Sequence, residues 1–343
     1  MSQKLATIER IQEVFPHPNA DKVELAKCCN YQCVVPISKY KKGDDIVFIH
    51  PDATLPKELE WSQPFLKFCK NRVKAVRFRG MWSFGIIAGF PEEFEELNAS
   101  GLQQELKGWF EGQDIAGLLY VEKYEVKYPA HQQNKLNPRR PHLPHSLPKT
   151  DEERYQSIDY LDKILGETVD VTLKIDGQSW TAYYKDGDFG VTSRGTDYKL
   201  DIDERNNFTR HLDKYPIEEN LTKYCIDNKV NIAIRGESYG TSVQNFKHNP
   251  HSKLTPGLAL FSCFNLDELR YERRESPLYI FKLAPQLRLP TVPIIEEGVV
   301  LTKELIEKYE NLDKINGNNF EGVVINGRNF SFKVINFKYD EKK

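Results

Sequence analysis

Val169-Asp170-Val171-Thr172-Leu173-Lys174-Ile175-Asp176-Gly177 ends an apolar run on a lysine, two residues before an acid-glycine pair. Read as a strand that stops at a turn, it sets a primary amine at the strand end with a carboxylate beside it. Such an amine is placed to attack a phosphate. Taken alone, Lys174-x-Asp176-Gly177 equally describes a solvated strand-end lysine. The segments that follow decide between the two readings. Arg194-Gly195, Arg235-Gly236-Glu237, Phe261 to Asn265, Glu321-Gly322 and Phe332-Lys333 come after it in an order that chance rarely supplies.

The chemistry asks for those residue types. At an ordinary pKa near 10.4 only about one lysine in a few thousand is neutral at pH 7. Attack on a nucleotide α-phosphate therefore needs positive charge nearby, or a metal ion that also neutralises the phosphate. Asp176, Glu237 and Glu321 supply carboxylates at strand or turn ends, suited to hard divalent metals such as Mg or Mn. Arg194, Arg235 and Lys333 are candidates for phosphate contact, and Phe264 for stacking on a base. Each has a plainer alternative: ion-pair partners for the acids, core packing for Phe264, a strand cap for Arg235.

Composition bounds the rest. The 343 residues have room for two domains with separate cores. No stretch approaches the roughly 18 apolar residues of a membrane helix, and the first fifteen residues lack a signal-peptide core. The six cysteines are sparse, and Cys28-Cys29-xxx-Cys33 lacks the paired spacing of a zinc site. Free thiols in a reducing compartment, cytoplasmic or nuclear, are expected. The net charge of -2 excludes a globally basic nucleic-acid binder. It leaves room for a local basic groove, because residues 131–150 carry four basic residues and no acid.

Residues 1–125 read as short strands with turns: Ala6 to Val14, Lys22 to Cys28, Cys33 to Ile37 and Ile46 to Ile49. Arg72 to Arg79 alternates basic with apolar, which predicts a strand with one face on a core and Lys74, Arg77 and Arg79 toward an anion. Glu92 to Phe110 predicts one or two helices. This pattern suits an OB-like barrel. Residues 126–147 are proline-rich and form a linker by composition; His131, His142 and His145 read as part of a polar connector rather than a metal site. From residue 148 to 343, a short helix opening at Thr150 to Glu153 leads into strands at Thr168 to Leu173, Ser179 to Tyr184, Gly190 to Ser193, Val230 to Ile234, Leu258 to Phe264, Gly322 to Ile325 and Phe330 to Ile335. Helical stretches at Ile202 to Asn228 and Lys303 to Tyr309 lie between them. The expected class is α+β.

Taken together, the ordered segments resemble the covalent nucleotidyltransferase superfamily of polynucleotide ligases and RNA capping enzymes, over about residues 148–340. Domain order narrows this. Only ten residues follow Lys333, so the extra domain is expected on the N-terminal side. With Pro148-Lys149-Thr150-Asp151-Glu152-Glu153-Arg154-x-Gln156 ahead of the nucleophile and the exit segment 111–125, the chain resembles the fifth RNA ligase family. Those are ATP-dependent ligases with an N-terminal OB domain and a nucleotidyltransferase domain of ATP-grasp-like antiparallel sheets with helices.

The resemblance implies a role for each matching residue. Lys174 would form lysyl-N-AMP, and Asp176-Gly177 would hold the ribose and shape the turn. Arg194 would contact the nucleotide and help position the RNA 3′ end. Glu237 would bind ribose or metal waters, Phe264 would sandwich the adenine, and Glu321 would bind metal waters. Lys333 would contact the α-phosphate and help keep Lys174 unprotonated. Lys149 and Arg154 would engage ATP phosphates or the RNA 5′-phosphate, with Thr172 also in the nucleotide site. One departure stands out. The family's last motif commonly carries two lysines as KxK, whereas Lys333-Val334-Ile335 lacks the second. Lys338, at an odd offset, is expected on the opposite strand face.

The expected activity is ATP-dependent joining of a 3′-OH to a 5′-phosphate in RNA, at a nick in a duplex, by a monomer with no membrane partner. The rivals are a DNA ligase with the same chemistry and an RNA-binding OB protein whose nucleotidyltransferase domain has decayed.

Overall fold

The structure, a computed structural model, describes residues 4–69, 72–100, 108–124, 140, 147–148, 152–201, 205–244 and 246–343. Contacts divide it into two compact units: Met1–Lys127 with Tyr155–Asp159, and Tyr128–Arg154 with Tyr160–Lys343. Lys149, the three linker histidines and most of the segment 126–147 lie outside the described residues.

In the first unit, β1 (Ala6–Pro16), β2 (Val23–Cys28), β3 (Tyr31–Pro36), β4 (Asp45–Ile49) and β8 (Ile86–Gly89) form one antiparallel sheet in the order β3-β2-β1-β4-β8. β1 pairs with β4 through residues 6–10 and with β2 from Ile11 onward. A register shift between Ile11 and Glu13 bends it from one partner to the other, as a curling OB sheet requires. Ala6, Ile8, Val47 and Ile49 alternate inward onto Phe94, Leu97, Ile115 and Leu119. Two small ribbons complete the unit: β5 (Ala53–Thr54) with β9 (Glu122–Lys123), and β6 (Val76–Phe78) with β7 (Met81–Ser83).

The strand expected over Arg72 to Arg79 is shorter than its alternation suggests. Val73 and Ala75 are buried, but only Val76–Phe78 forms a strand, and all three of its residues are exposed. The chain reverses at Arg79-Gly80 to pair with β7 rather than joining the main sheet. His17 and Asn19 pin this hairpin through the carbonyls of Phe78 (3.1 Å) and Arg79 (2.9 Å). Lys74 is half-buried, while Arg77 and Arg79 are exposed. The helix expected over Glu92 to Phe110 is a 3-10 turn, Pro91–Glu93, and a short helix, Glu95–Ala99; residues 101–107 are outside the described set.

A buried histidine gives this unit an acid sensitivity. His50 is 3% exposed against Phe48 and Tyr31, with Thr7 Oγ1 2.8 Å from its Nε2. Burial, aided by the charge of Lys4, lowers its pKa from 6.5 to about 3. The unfolded chain therefore binds a proton below pH 6.5 that the folded one refuses. Stability from this group is complete above pH 6.5 and falls as the pH drops toward 3, by about 2 kcal/mol at pH 5. A His50→Gln variant should show a smaller loss of urea resistance between pH 7 and 5 than the parent; equal losses would rule the assignment out.

The second unit holds two antiparallel sheets. One has the order β17-β10-β18-β19, from β10 (Thr168–Lys174), β17 (Ile294–Val300), β18 (Gly322–Asn326) and β19 (Ser331–Ile335). The other has the order β13-β12-β11-β14-β15-β16, from β11 (Gln178–Lys185), β12 (Asp188–Thr192), β13 (Asp197–Tyr198), β14 (Ile232–Tyr239), β15 (Gly257–Asn265) and β16 (Arg270–Glu272). The two-residue turn Asp186-Gly187, with φ of 52° and 92°, joins β11 to β12. Trp180, Ala182, Ile234 and Leu260 bury one face of the larger sheet against the helices Ile217–Asn228 and Ile280–Gln286.

Helix expected from Ile202 is confined to His211–Lys214 and Ile217–Asn228 among the described residues. Pro216 lies between them, lacks an N–H and disfavours helical backbone before it. Glu152 and Glu153 are not helical; a 3-10 turn at Tyr155–Ser157 follows instead. No helix among the described residues is long and apolar enough to cross a membrane.

Candidate active site

The nucleophile candidate ends a strand whose two faces do different work. Val169, Val171, Val323, Ile325, Phe332 and Val334 form a buried face of the smaller sheet. The alternate residues form cross-strand rows on the other face: Thr172, Val324 and Lys333 in one, and Lys174, Gly322 and Ile335 in the next. At Lys174 the chain leaves this sheet and, through Ile175-Asp176-Gly177, enters β11 of the larger one. Ile175 packs with Ala259 and Val292, which fixes that crossing. Gly177 lies against β14 so closely that a Cβ there would sit 2.4 Å from the Ser238 carbonyl oxygen, so only glycine fits. Its N–H donates to Glu237 Oε1 at 3.0 Å. Asn249 donates to the Asp176 carbonyl (2.7 Å) and Gln244 to the Gly177 carbonyl (3.1 Å), so the following loop straps the turn.

Charges of both signs meet there. Lys174 Nζ donates to Glu321 Oε2 at 2.6 Å. Lys343 Nζ donates to Asp176 Oδ1 at 2.8 Å and to Glu321 Oε1 at 3.3 Å. Tyr339 Oη donates to Asp176 Oδ2 at 2.7 Å. Burial opposes the charge on Lys174, but Glu321 and Glu237 outweigh it, so its pKa stays above the ordinary value despite Lys343 nearby. Burial likewise pushes Glu321 up, and Lys174 and Lys343 more than reverse it, holding it at about 2. Glu237 goes the other way. Burial, then the charges of Glu321 and Asp176, raise it to about 8 against the pull of Lys174. At neutral pH the resting site thus pairs the ammonium groups of Lys174 and Lys343 with the carboxylates of Asp176 and Glu321, while Glu237 mostly keeps its proton.

Among the described residues no three acidic, histidine or cysteine side chains are grouped to hold a metal ion by themselves. Asp176, Glu237 and Glu321, expected as metal residues, are engaged with Tyr339, Lys343, Gly177 and Lys174 rather than forming a ligand cage. Their chemistry still suits a hard cation. The donors are all carboxylate oxygens, and Glu237, raised to about 8, would give up its proton more readily if a cation were bound beside it. Such an ion, keeping several waters and riding on substrate phosphates, needs no all-protein cage.

The other expected residues are dispersed to varying degrees. Lys333 shares a sheet face with Lys174, and its N–H donates to the Glu153 carbonyl at 2.7 Å. Thr172 is buried, its hydroxyl donating to the Val324 carbonyl (3.2 Å) and accepting from Asn326 (3.1 Å). Arg154 is enclosed and paired with Asp340 at 3.8 Å. Arg194 is half-buried in the loop between β12 and β13. Arg235 is not placed for phosphate contact: fully buried, it donates to the Pro148 carbonyl and Tyr271 and lies over the Phe264 and Tyr271 rings. Phe264, expected to sandwich a base, is itself enclosed, 4% exposed among Tyr183, Leu266 and Tyr271. Phe261 is the aromatic of that run that stays partly open, beside Ile175 and Ala259. Lys338, expected on the opposite face of a strand, lies instead in the helix Phe337–Lys342, because the strand ends at Ile335; there it pairs with Asp313 at an exposed position.

Residues 167–339 match the family model described as RNA ligase. The chain belongs to the RNA ligase family. Residues 5–90 separately match an OB-fold domain model. Among solved structures, this family member is similar to Naegleria gruberi RNA ligase with PPi at 25% identity and a TM-score of 0.80, covering 99% of each chain. It is similar to a point mutant of that ligase with ATP and Mn at 24% and 0.81, covering 99% of each. A mutant with AMP and Mn matches at 23% and 0.79, again over 99% of each. No curated protein sequence matches it.

Sequence reasoning missed four contributors to this candidate site: Gln244, Asn249, Tyr339 and Lys343. The loop amides carry no signal, since they act on backbone carbonyls. No element is expected beyond the strand ending at Ile335, although helical spacing over Tyr339-Asp340-Glu341-Lys342-Lys343 puts Tyr339 and Lys343 on one face.

Proposed function

We propose that this enzyme is an ATP-dependent RNA ligase that joins a 3′-OH to a 5′-phosphate at nicks in duplexes through a lysyl-N-AMP intermediate. The observation that carries the reading is Lys174, at a strand end between Glu321 and Glu237, in a chain of the RNA ligase family. The Naegleria ligase solved with ATP and Mn, and with AMP and Mn, supports ATP and a divalent metal for this chain too. In the first step the Lys174 amine attacks the α-phosphorus of ATP; a P–N bond forms and pyrophosphate leaves. The RNA 5′-phosphate then displaces the lysine to take the AMP, and the 3′-OH displaces AMP to form the phosphodiester. A divalent ion held by Asp176, Glu237 and Glu321 would supply charge neutralisation at the phosphates.

The protein's own work is positioning. Glu321 fixes the Lys174 amine, and the strapped turn fixes Asp176. Lys333, one row back on the same face, offers a phosphate cation. Phe261 gives a partly open ring for the base in place of Phe264. Arg194 is retained as a nucleotide and 3′-end contact. In the OB unit, exposed Arg77 and Arg79, with Lys74, would grip the duplex backbone without reading sequence.

Incubation with α-labelled ATP and Mn should leave label on the denatured protein, and a decayed domain would leave none. Nicked duplexes that differ only in ribose or deoxyribose at the 3′-OH end should be sealed in favour of ribose. Equal sealing would instead assign the enzyme to DNA and RNA alike.

A further inference from the structure

Ile335 lies across Gly322 from Lys174, in the same row of the sheet. With glycine between them, the side chain at 335 is the one β19 places in the row of Lys174, and here it is apolar and buried. The helix Phe337–Lys342 then folds back over the turn, tied at Asn336 to the carbonyls of Tyr309 (3.2 Å) and Leu312 (2.7 Å). It brings Tyr339 and Lys343 onto opposite oxygens of Asp176. Lys343 reaches both Asp176 and Glu321, and Glu321 in turn holds Lys174. Its side chain is one-quarter exposed, open enough to exchange partners.

We propose that Lys343 is the second cation of the nucleotidyl-transfer site, supplied by a helix where strand β19 has isoleucine, and that it turns from Asp176 and Glu321 to the substrate's phosphates. This rests on the ligase reading above. Ammonium groups bind phosphate as compact point charges, and one already balanced by two carboxylates is poised for hand-over when a metal takes those carboxylates.

Pyrophosphate with Mg, titrated calorimetrically into the full chain, tests this without turnover. Lys343→Met should weaken binding tenfold or more while still folding cooperatively, its melting temperature lowered only modestly by the lost contacts to Asp176 and Glu321. Lys343→Arg should recover most of the binding, and Lys342→Met, an exposed neighbour, should match the parent. AMP capture should fall in parallel. The double variant Ile335→Lys with Lys343→Met should regain both, because it returns an amine to the row of Lys174. Parental pyrophosphate affinity in Lys343→Met would overturn the proposal, as would a double variant that folds but regains nothing. If the parent binds pyrophosphate yet captures no AMP, the ligase reading fails while the binding comparison still decides the role of Lys343.

Discussion

Lys174→Met is expected to lose covalent AMP capture by roughly 10^3-fold or more, as removal of a nucleophile does. Methionine keeps most of the stem's volume and deletes only the amine, so the loss reads the chemistry rather than the packing. The charge balance shifts as well. Glu321 loses its 2.6 Å partner and keeps Lys343, which holds it by the longer 3.3 Å contact. Because the Lys174 side chain is 27% exposed, solvent softens that loss, and about 1 kcal/mol of stability should go with it. RNA supplied with AMP already on its 5′-phosphate bypasses the first step. The variant should seal it measurably, which separates the nucleophile from the scaffold. Label that persists on Lys174→Met would move the nucleophile elsewhere in the chain.

The two sheets were legible because their strands are two-sided in different ways. β10, β18 and β19 alternate an apolar face with Thr172, Lys174 and Lys333, so the period of two that folds them also displays the candidate site residues on one face. The ordered motifs fall at the ends or on the inner face of those strands because a turn is where a carboxylate can reach across. What was not legible has equally local causes. The register between β14 and β15 shifts at Arg235-Gly236, where Ser262 faces Arg235 but Leu260 faces Gly236. Phe261 is the extra residue, so the run Phe261 to Phe264 does not by itself tell which ring stays open; the ring of Phe264 is enclosed by Arg235 and Tyr271. The alternation from Arg72 gave the right faces at Val73 and Ala75 and failed where the chain turned at Arg79-Gly80. Lys343 was invisible because its role depends on where a short helix folds back, which no periodicity encodes. The edge strand β17 has a mostly exposed pattern and gave no signal.

Gly322→Ala should damage both the fold and the chemistry. An added Cβ would stand 2.2 Å from the Val334 carbonyl oxygen, 3.0 Å from Ile335 Cα and 3.2 Å from the Val334 carbonyl carbon. All three are backbone atoms, so no side chain can swing aside, and β18 and β19 must part at the row that carries Lys174. Overpacking of this kind costs about 2–3 kcal/mol. The strand shift reaches the site by a short path. Glu321 precedes Gly322, and its carbonyl accepts from Asn336 N–H at 2.9 Å, while Asn336 caps the helix that delivers Tyr339 and Lys343. Parting the strands therefore moves the carboxylate on Lys174 and both side chains on Asp176 together. AMP capture should fall by at least tenfold at temperatures where the variant remains folded, beyond what the unfolded fraction explains. Gly117→Ala is the matched comparison: a Cβ there meets nothing within 4 Å and should leave stability and capture at parental levels. Denaturant unfolding and labelled-AMP capture on the same samples decide the matter. A Gly322→Ala protein with parental values for both would mean that the close approach between β18 and β19, and the coupling drawn through it, does not hold.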